Sequence, residues 1–247
     1  MVGEFNRAIL DSVAPETGSL LLEVGTGSGR STRPLLDSLA AWNVLLVGVD
    51  SSHGKLRQLA THSRTGAPNL VQGDAADLPF PSACFDAIIT IHVLHLVADW
   101  RTALNEFRRL LRPGGVYLRR ATEQEYDSVW ALMRRMWQSL LEQYDLTQRH
   151  AGRSDRAIDG ALGQMGAVCR RVQVSARTVC TTPGQELDRI ASRARNGTWT
   201  VPAEMLPLLL ADLETQTIAE FTSLEHECTY DESVELHIWR FPESSNG

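Results

Sequence analysis

The chain has 247 residues, 43% of them apolar and 22% charged, enough to bury a sizeable core as one large domain or a core with an insertion. Its 24 basic and 30 acidic residues give a net charge of −6, which argues against non-specific binding to nucleic acid or an anionic membrane. No stretch reaches the ~20 apolar residues of a membrane span, Met1–Leu10 carries Glu4 and Arg7 where a secretory signal would be apolar, and Cys84, Cys169, Cys180 and Cys228 form no C-x-x-C pair. A cytoplasmic protein with neither a structural zinc nor a disulfide framework is expected.

Phe5, Ile9, Leu10 and Val13 recur at helical spacing, and Pro15 stops that helix. Leu20–Val24 is a short apolar run ending in glycines, which reads as a buried strand entering a tight turn. A helix over Ser31–Ala41, a strand over Val44–Val49 that ends at Asp50, a helix over Ser52–Ser63, a strand over Asn69–Gln72 and a strand over Phe85–Ile91 follow. Trp100, Leu104, Phe107 and Leu111 predict an amphipathic helix over Asp99–Arg112, which Pro113-Gly114-Gly115 ends before a strand at Val116–Arg119. This alternation predicts an α/β fold, Rossmann-like and doubly wound.

The second half is less regular. Glu125–Gln143 reads as a long helix, Val172–Thr181 as a strand, Pro183 to about Phe221 as helical and Ser233–Phe241 as a last strand, with Pro242–Gly247 a frayed tail. The expected organisation is a core over 1–121 and an acceptor-side part over 122–247. The latter contains two strands that complete the sheet and a helical insertion over 183–221.

Glu23-Val24-Gly25-Thr26-Gly27-Ser28-Gly29 sits where a strand meets a helix. Glycines there permit the turn and let a ligand approach the backbone, and the following helix points free N–H groups at it. Asp50 lies 21 residues beyond Gly29 at the end of the second strand, where a carboxylate can accept the hydroxyls of a ribose. The nicotinamide pattern G-x-G-x-x-G is not met, because position 30 is arginine and an acid, Glu23, precedes the first glycine.

Further motifs follow in order: Val49-Asp50, Gly73-Asp74-Ala75-Ala76-Asp77-Leu78-Pro79-Phe80, Phe85-Asp86-Ala87-Ile88-Ile89 and Leu110-Leu111-Arg112-Pro113-Gly114-Gly115. With the glycine loop, they make residues 20–120 resemble the class I S-adenosylmethionine-dependent methyltransferases, in the group that includes ubiquinone-biosynthesis and other small-molecule enzymes. The resemblance implies a mostly parallel seven-stranded sheet with an antiparallel last strand. It implies S-adenosylmethionine as cofactor and S-adenosylhomocysteine as product.

It further implies contacts to that cofactor from Glu23, Gly25, Thr26, Gly27, Gly29, Asp50, Ser51, Asp74, Ala75, Ile91 and His92. Backbone N–H groups of the Gly25–Gly29 turn would face its carboxylate, carbonyls near Ile91 its ammonium, Asp74 its adenine, and Leu56 and Leu78 would flank the ring. Lys55 and His92 depart from the residues common at their positions in the family.

Methyl transfer from a sulfonium is a direct displacement, so positioning and desolvation carry most of it and a base is needed only where the acceptor loses a proton. His92 and His95 follow the fourth strand at the ligand-binding edge and are the candidate bases, against a reading as hydrogen-bonded loop residues. Glu123, Gln124 and Tyr126 face the acceptor or form a solvated turn, and Trp130, Met133, Met136 and Trp137 are a core stripe or an acceptor pocket. Arg193, Arg195 and Trp199 hold an acidic acceptor or belong to a solvated loop.

The expected partner is a small-molecule acceptor rather than nucleic acid, for a monomer or a homodimer. A non-catalytic S-adenosylmethionine-binding protein is the alternative. A nicotinamide oxidoreductase is disfavoured by Arg30, and an RNA methyltransferase by the acidic balance. Thr90-Ile91-His92-Val93, where amino-group enzymes carry Asn/Asp-Pro-Pro-Tyr/Phe, disfavours methylation of a nucleobase amine.

Overall fold

A computed structural model describes residues 2–61, 69–124, 127–146, 155–193 and 201–242. It divides into two units: Met1–Ala121 with Gly152–Ser175 and Val234–Gly247, and Thr122–Ala151 with Ala176–Ser233.

The first unit is built on β1 (Leu20–Val24), whose last four residues are buried. A strand covered on both faces reads as a continuous apolar run, which is why Leu-Leu-Leu-Glu-Val does not alternate. It pairs in parallel with β2 (Leu45–Asp50) on one side and β4 (Phe85–Thr90) on the other. β3 (Asn69–Gln72) pairs with β2, and β5 (Leu111–Gln124) with β4. With β6 (Val168–Thr181) and β7 (Cys228–Arg240) the sheet has seven strands in the order β3-β2-β1-β4-β5-β7-β6, mostly parallel, with the last strand antiparallel. The register aligns Val24 with both Val49 and Thr90, Asp50 with Gln72, and Thr90 with Arg119. The segments that follow β1, β2, β3 and β4 therefore meet at one edge, where open α/β sheets bind ligands.

Side-chain alternation gives this sheet two cores. Leu22, Val24, Val49, Ile88 and Tyr117 pack with Leu104 and Phe107 of α4 (Trp100–Leu110) and Leu162 of α6 (Asp155–Gln164). Leu21, Leu46, Ile89 and Leu118 pack with Phe5 and Ile9 of α1 (Val2–Val13) and Leu35 and Leu39 of α2 (Thr32–Leu39). Full burial of each such side chain contributes about 1.5–3 kcal/mol. α4 starts where the Asp99 carboxylate accepts the Thr102 N–H, and ends at Leu110 because Leu111 is already extended.

The predicted Pro-Gly-Gly turn lies inside β5. Pairing passes from Phe85–Leu111 to Ala87–Val116, so Arg112–Gly115 bulge out of the ladder. Arg112 closes the bulge by donating to both oxygens of Asp86, which also accepts the Leu20 N–H.

α6 was not expected from the sequence. The predicted long helix is shorter than Glu125–Gln143: α5 runs Val129–Gln143, capped where Ser128 accepts the Ala131 N–H. The predicted helical stretch from Pro183 contains α7 (Pro183–Ala191), capped by Thr182, and α8 (Leu206–Phe221). Met133, Trp137, Leu140, Ile190, Leu209, Leu213 and Tyr230 form the core of the second unit, with Trp130 and Met136 packed against it. The Trp130–Trp137 stripe is thus core. Among the described residues, no helix is long and apolar enough to cross a membrane. Residues 243–247 of the predicted tail lie outside the described part.

Candidate active site

The turn after β1 is held by backbone bonds to the end of β2. The N–H groups of Gly25 and Thr26 both donate to the Val49 carbonyl, at 2.7 and 3.1 Å, and that of Gly29 donates to the Thr26 carbonyl. Gly25 has φ +82°, and a Cβ there would lie 1.9 Å from Val93 Cγ2, so only glycine fits between the turn and the segment after β4. Gly27 has φ +56°, but a Cβ there would meet nothing within 4 Å. Its surroundings are open, as a loop that receives a ligand requires.

Asp50 ends β2 and is buried. Its Oδ2 accepts the Gly27 N–H at 2.8 Å and its Oδ1 the Ser52 N–H at 2.9 Å. Each carboxylate oxygen has two lone pairs, so one on each remains for an outside donor. Four of the five N–H groups of the turn thus have protein acceptors. Only that of Ser28 has none among the described residues, so the predicted N–H cradle for a carboxylate narrows to Ser28.

Glu23 lies under this turn at 1% exposure, and its Oε2 has no hydrogen-bond partner. Burial pushes its carboxyl from the ordinary 4.5 to about 7, against the lowering effect of the Thr32 hydroxyl. The buried Thr26 hydroxyl is also without a partner. Unpartnered buried polar atoms of this kind are uncommon in native interiors, and these two lie together beside the turn. The acid, the open Gly27 and the half-used Asp50 suit a ligand with a cationic end and a ribose.

The other expected contacts occupy the same edge. Ser51 is exposed beside Asp50, and Asp74 is exposed, its Oδ1 accepting the Ala76 N–H at 3.0 Å. Ala75 is buried and Ile91 half-buried. Leu56 and Leu78 are both buried, Leu78 within the core that also holds Trp100 and Phe107.

His92 keeps part of its surface open to solvent while its ring is crowded by surrounding protein, and it adopts φ +54°, a conformation costly for a residue with a Cβ. Its Nε2 contacts Nη1 of Arg120 on β5. Burial of the ring, then the charges of Arg120, His95 and Arg30, lower its pKa to about 4, with Asp155 opposing. His95 is half-buried in a single 3₁₀ turn, and burial lowers its pKa as well.

Nothing in the sequence singles out Arg119. This arginine is buried on β5 and donates to Asp155 and Asp159 of α6, with His237 Nδ1 at 3.1 Å. The side chains of Glu123 and Gln124, and all of Tyr126, Arg195 and Trp199, lie outside the described residues. Arg193 donates to the Val201 carbonyl at 3.0 Å, a bond within its own unit.

Residues 22–118 match the family described as "Methyltransferase domain", a span that begins in β1 and ends in β5. Residues 22–118 are thus similar to methyltransferase domains, the family that the glycine loop and the later motifs resemble. A fatty-acid O-methyltransferase of Mycolicibacterium smegmatis is 33% identical over 110 residues, 44% of this chain and 39% of that protein. A demethylmenaquinone methyltransferase of Clavibacter sepedonicus is 37% identical over 108 residues, 42% of this chain and 41% of that one. The matches thus span about two fifths of these relatives' own length. Among solved structures, the YcgJ protein of Bacillus subtilis superposes with a TM-score of 0.63 at 17% identity, covering 96% of this chain and 98% of that one. That likeness is one of fold.

Proposed function

We propose that the chain is an S-adenosylmethionine-dependent methyltransferase acting on a small-molecule acceptor by direct displacement. The observation that carries this reading is the convergence of the unpartnered Glu23 Oε2, the open Gly27 turn and the Asp50 carboxylate at one end of the sheet. Bound there, the sulfonium supplies an already activated methyl group. Glu23 faces the ammonium end, Ser28 offers its N–H to the carboxylate, and the remaining lone pairs of Asp50 take the ribose hydroxyls. Ser51, Asp74, Ala75 and Ile91 complete the cofactor's surroundings with Gly25, Thr26 and Gly29.

Held by these residues, the cofactor would supply the methyl group and its sulfur would take up the displaced electron pair, while the acceptor would supply the attacking lone pair. An oxygen or nitrogen acceptor then sheds a proton. Of the two histidines, His95 is the one with no hydrogen-bond partner among the described residues, so proton removal is assigned to it. His92 already spends Nε2 on Arg120. The four cysteines are free thiols, which suits the cytoplasmic location expected for such an enzyme.

The direct test is incubation with methyl-labelled S-adenosylmethionine and a panel of fatty acids, phenols, quinols and amines, with S-adenosylhomocysteine as the readout. Label transfer to one acceptor class supports the reading. Tight cofactor binding with no transfer to any class would turn it toward a cofactor-binding protein.

A further inference from the structure

Glu106 and Arg109 are spaced i, i+3 near the end of α4, which puts both side chains on one face of the helix. They form a two-pronged pair: Arg109 Nε donates to Glu106 Oε1 and Nη2 to Oε2, each at 2.7 Å. Planar pairs of this kind are among the strongest and most directional charged contacts. The bonds from Arg109 hold the Glu106 carboxyl below the usual carboxylate range, against the opposing effect of burial.

The same two side chains reach the segment that follows β3. Glu106 Oε2 also accepts the Leu78 N–H at 3.1 Å. Arg109 Nη2 donates to the Leu78 carbonyl at 3.2 Å, and Nη1 to the Phe80 carbonyl at 2.8 Å and to Ser82 Oγ at 3.4 Å. Leu78 is buried and lies in no strand, so its backbone groups need partners from elsewhere, and α4 supplies them. Backbone bonds continue the attachment: the N–H groups of Ala83 and Cys84 donate to the carbonyls of Arg109 and Leu110, both at 2.9 Å. α4 is a firm base for these bonds, because Trp100, Ala103, Leu104, Phe107 and Leu110 bury its other face.

The start of the segment is fastened to the end of β2. The Gly73 N–H donates to the Asp50 carbonyl at 3.3 Å, and Gln72 Nε2 to the Ser51 carbonyl at 3.1 Å. Between the two anchors lies the turn Asp74–Asp77. It is closed by the Asp77 N–H on the Asp74 carbonyl and by the Ala76 N–H on the Asp74 carboxylate, both at 3.0 Å. Asp74 and Ala75 are the residues expected at the adenine. A short turn tied at both ends moves only when a tie breaks, and the tie at Leu78 is made by Glu106 and Arg109.

We infer that Glu106 and Arg109 are positioning residues for nucleobase recognition, holding from α4 the turn whose Asp74 carboxylate accepts the amino group of the adenine. This rests on the methyltransferase reading and adds to it two residues that act through the turn rather than on the ligand.

The test is calorimetric titration of the full chain with S-adenosylhomocysteine and with S-inosylhomocysteine, in which an oxo group replaces the amino group of the base. The wild type is expected to bind the adenosyl ligand about tenfold or more tighter, the scale of one hydrogen bond to a charged acceptor. In Arg109→Met and in Glu106→Ala that ratio should fall to about threefold or less, as a displaced carboxylate no longer meets the amino group. Arg109→Lys keeps the charge but not the planar fork, so its ratio should lie between those values. Arg112→Met, which breaks the ion pair with Asp86 instead, should keep the wild-type ratio, so that lost stability alone does not mimic the effect. If Arg109→Met does not fold, Arg109→Lys carries the test, and a wild-type ratio in it overturns the inference. An unchanged ratio in the folded variants, or an equal loss of affinity for both ligands, makes the pair a structural tie only and overturns the inference. Equal binding of both ligands by the wild type overturns it and leaves the methyltransferase reading intact. Failure of the wild type to bind either ligand sinks the methyltransferase reading and this inference together.

Discussion

Asp50 Oδ2 and the Gly27 N–H are 2.8 Å apart, so the acid at the end of β2 and the middle glycine of the turn after β1 are set by one bond. The same carboxylate fixes the next turn through Ser52. A ligand reaching Asp50 therefore meets a turn already in position, and binding does not have to order it.

Replacing Asp50 tests this. Asp50→Ala removes two backbone acceptors and, on the proposed function, the ribose contact. Affinity for S-adenosylhomocysteine is expected to fall about 100-fold or more, at the scale of two charge-assisted bonds. Asp50→Asn keeps one oxygen and should lose less. Titration calorimetry on the folded variants checks both, and unchanged affinity in Asp50→Ala would remove Asp50 from the site.

Gly27→Val probes the open space. A side chain at φ +56° costs about 1–2 kcal/mol, yet nothing within 4 Å opposes its Cβ. The variant should fold, with a modestly lower melting temperature, and bind no adenosyl ligand. A folded variant that binds normally would mean that the opening is not where the cofactor lies.

Glu23 makes stability fall with pH. Its carboxyl is raised from 4.5 to about 7, so the folded state favours the protonated acid. That preference is fully present below about pH 4.5 and is lost as pH rises through 7, a change of about 3 kcal/mol in order of magnitude. Glu23→Gln should match the wild type in denaturant unfolding near pH 5 and exceed its stability by a few kcal/mol at pH 8. A stability difference independent of pH would show that Glu23 is ionised throughout.

His92 should behave as a neutral ring. Burial, Arg120, His95 and Arg30 hold its pKa at about 4. In NMR titration the His92 ring resonances are expected to stay flat from pH 5.5 to 8. Arg120→Gln should move the midpoint upward, and a wild-type midpoint near 6.5 would contradict the contact with Arg120.

Arg119 is a stability site. Removing one partner of a buried ion pair leaves the other uncompensated, so Arg119→Met is expected to cost about 3 kcal/mol or more in denaturant unfolding. Asp155→Asn should cost under about 1 kcal/mol, because that side chain is 48% exposed. Equal costs would mean that Arg119 is held by something other than burial.

Local chemistry made the first half readable. β1 and β3 lie at Leu20–Val24 and Asn69–Gln72, where apolar runs stop at glycine, and α4 shows its buried stripe directly. α6 was hidden because Gly160 and Gly163 weaken the helical pattern, although Ile158, Ala161 and Leu162 carry the spacing of a buried face. β6 begins at Val168, before the predicted Val172, through a stretch containing Arg170 and Arg171 that carries no strand signal of its own. At the site, Glu23, Gly25 and Asp50 could be named from spacing, because a turn and its acid are set within one strand–helix unit. Arg119 could not: its partners lie 36, 40 and 118 residues away, and Leu118-Arg119-Arg120 gives no sign of which arginine is buried. The Arg120–His92 contact depends on a left-handed residue that nothing in Thr90-Ile91-His92-Val93 announces.

Calorimetric titration of the purified protein with S-adenosylmethionine, S-adenosylhomocysteine and NADH tests the central claim most directly. The predicted result is binding of both adenosyl ligands at one site per chain, lost in Asp50→Ala and Gly27→Val, with no heat from NADH. Binding of NADH, or of neither adenosyl ligand, would contradict it.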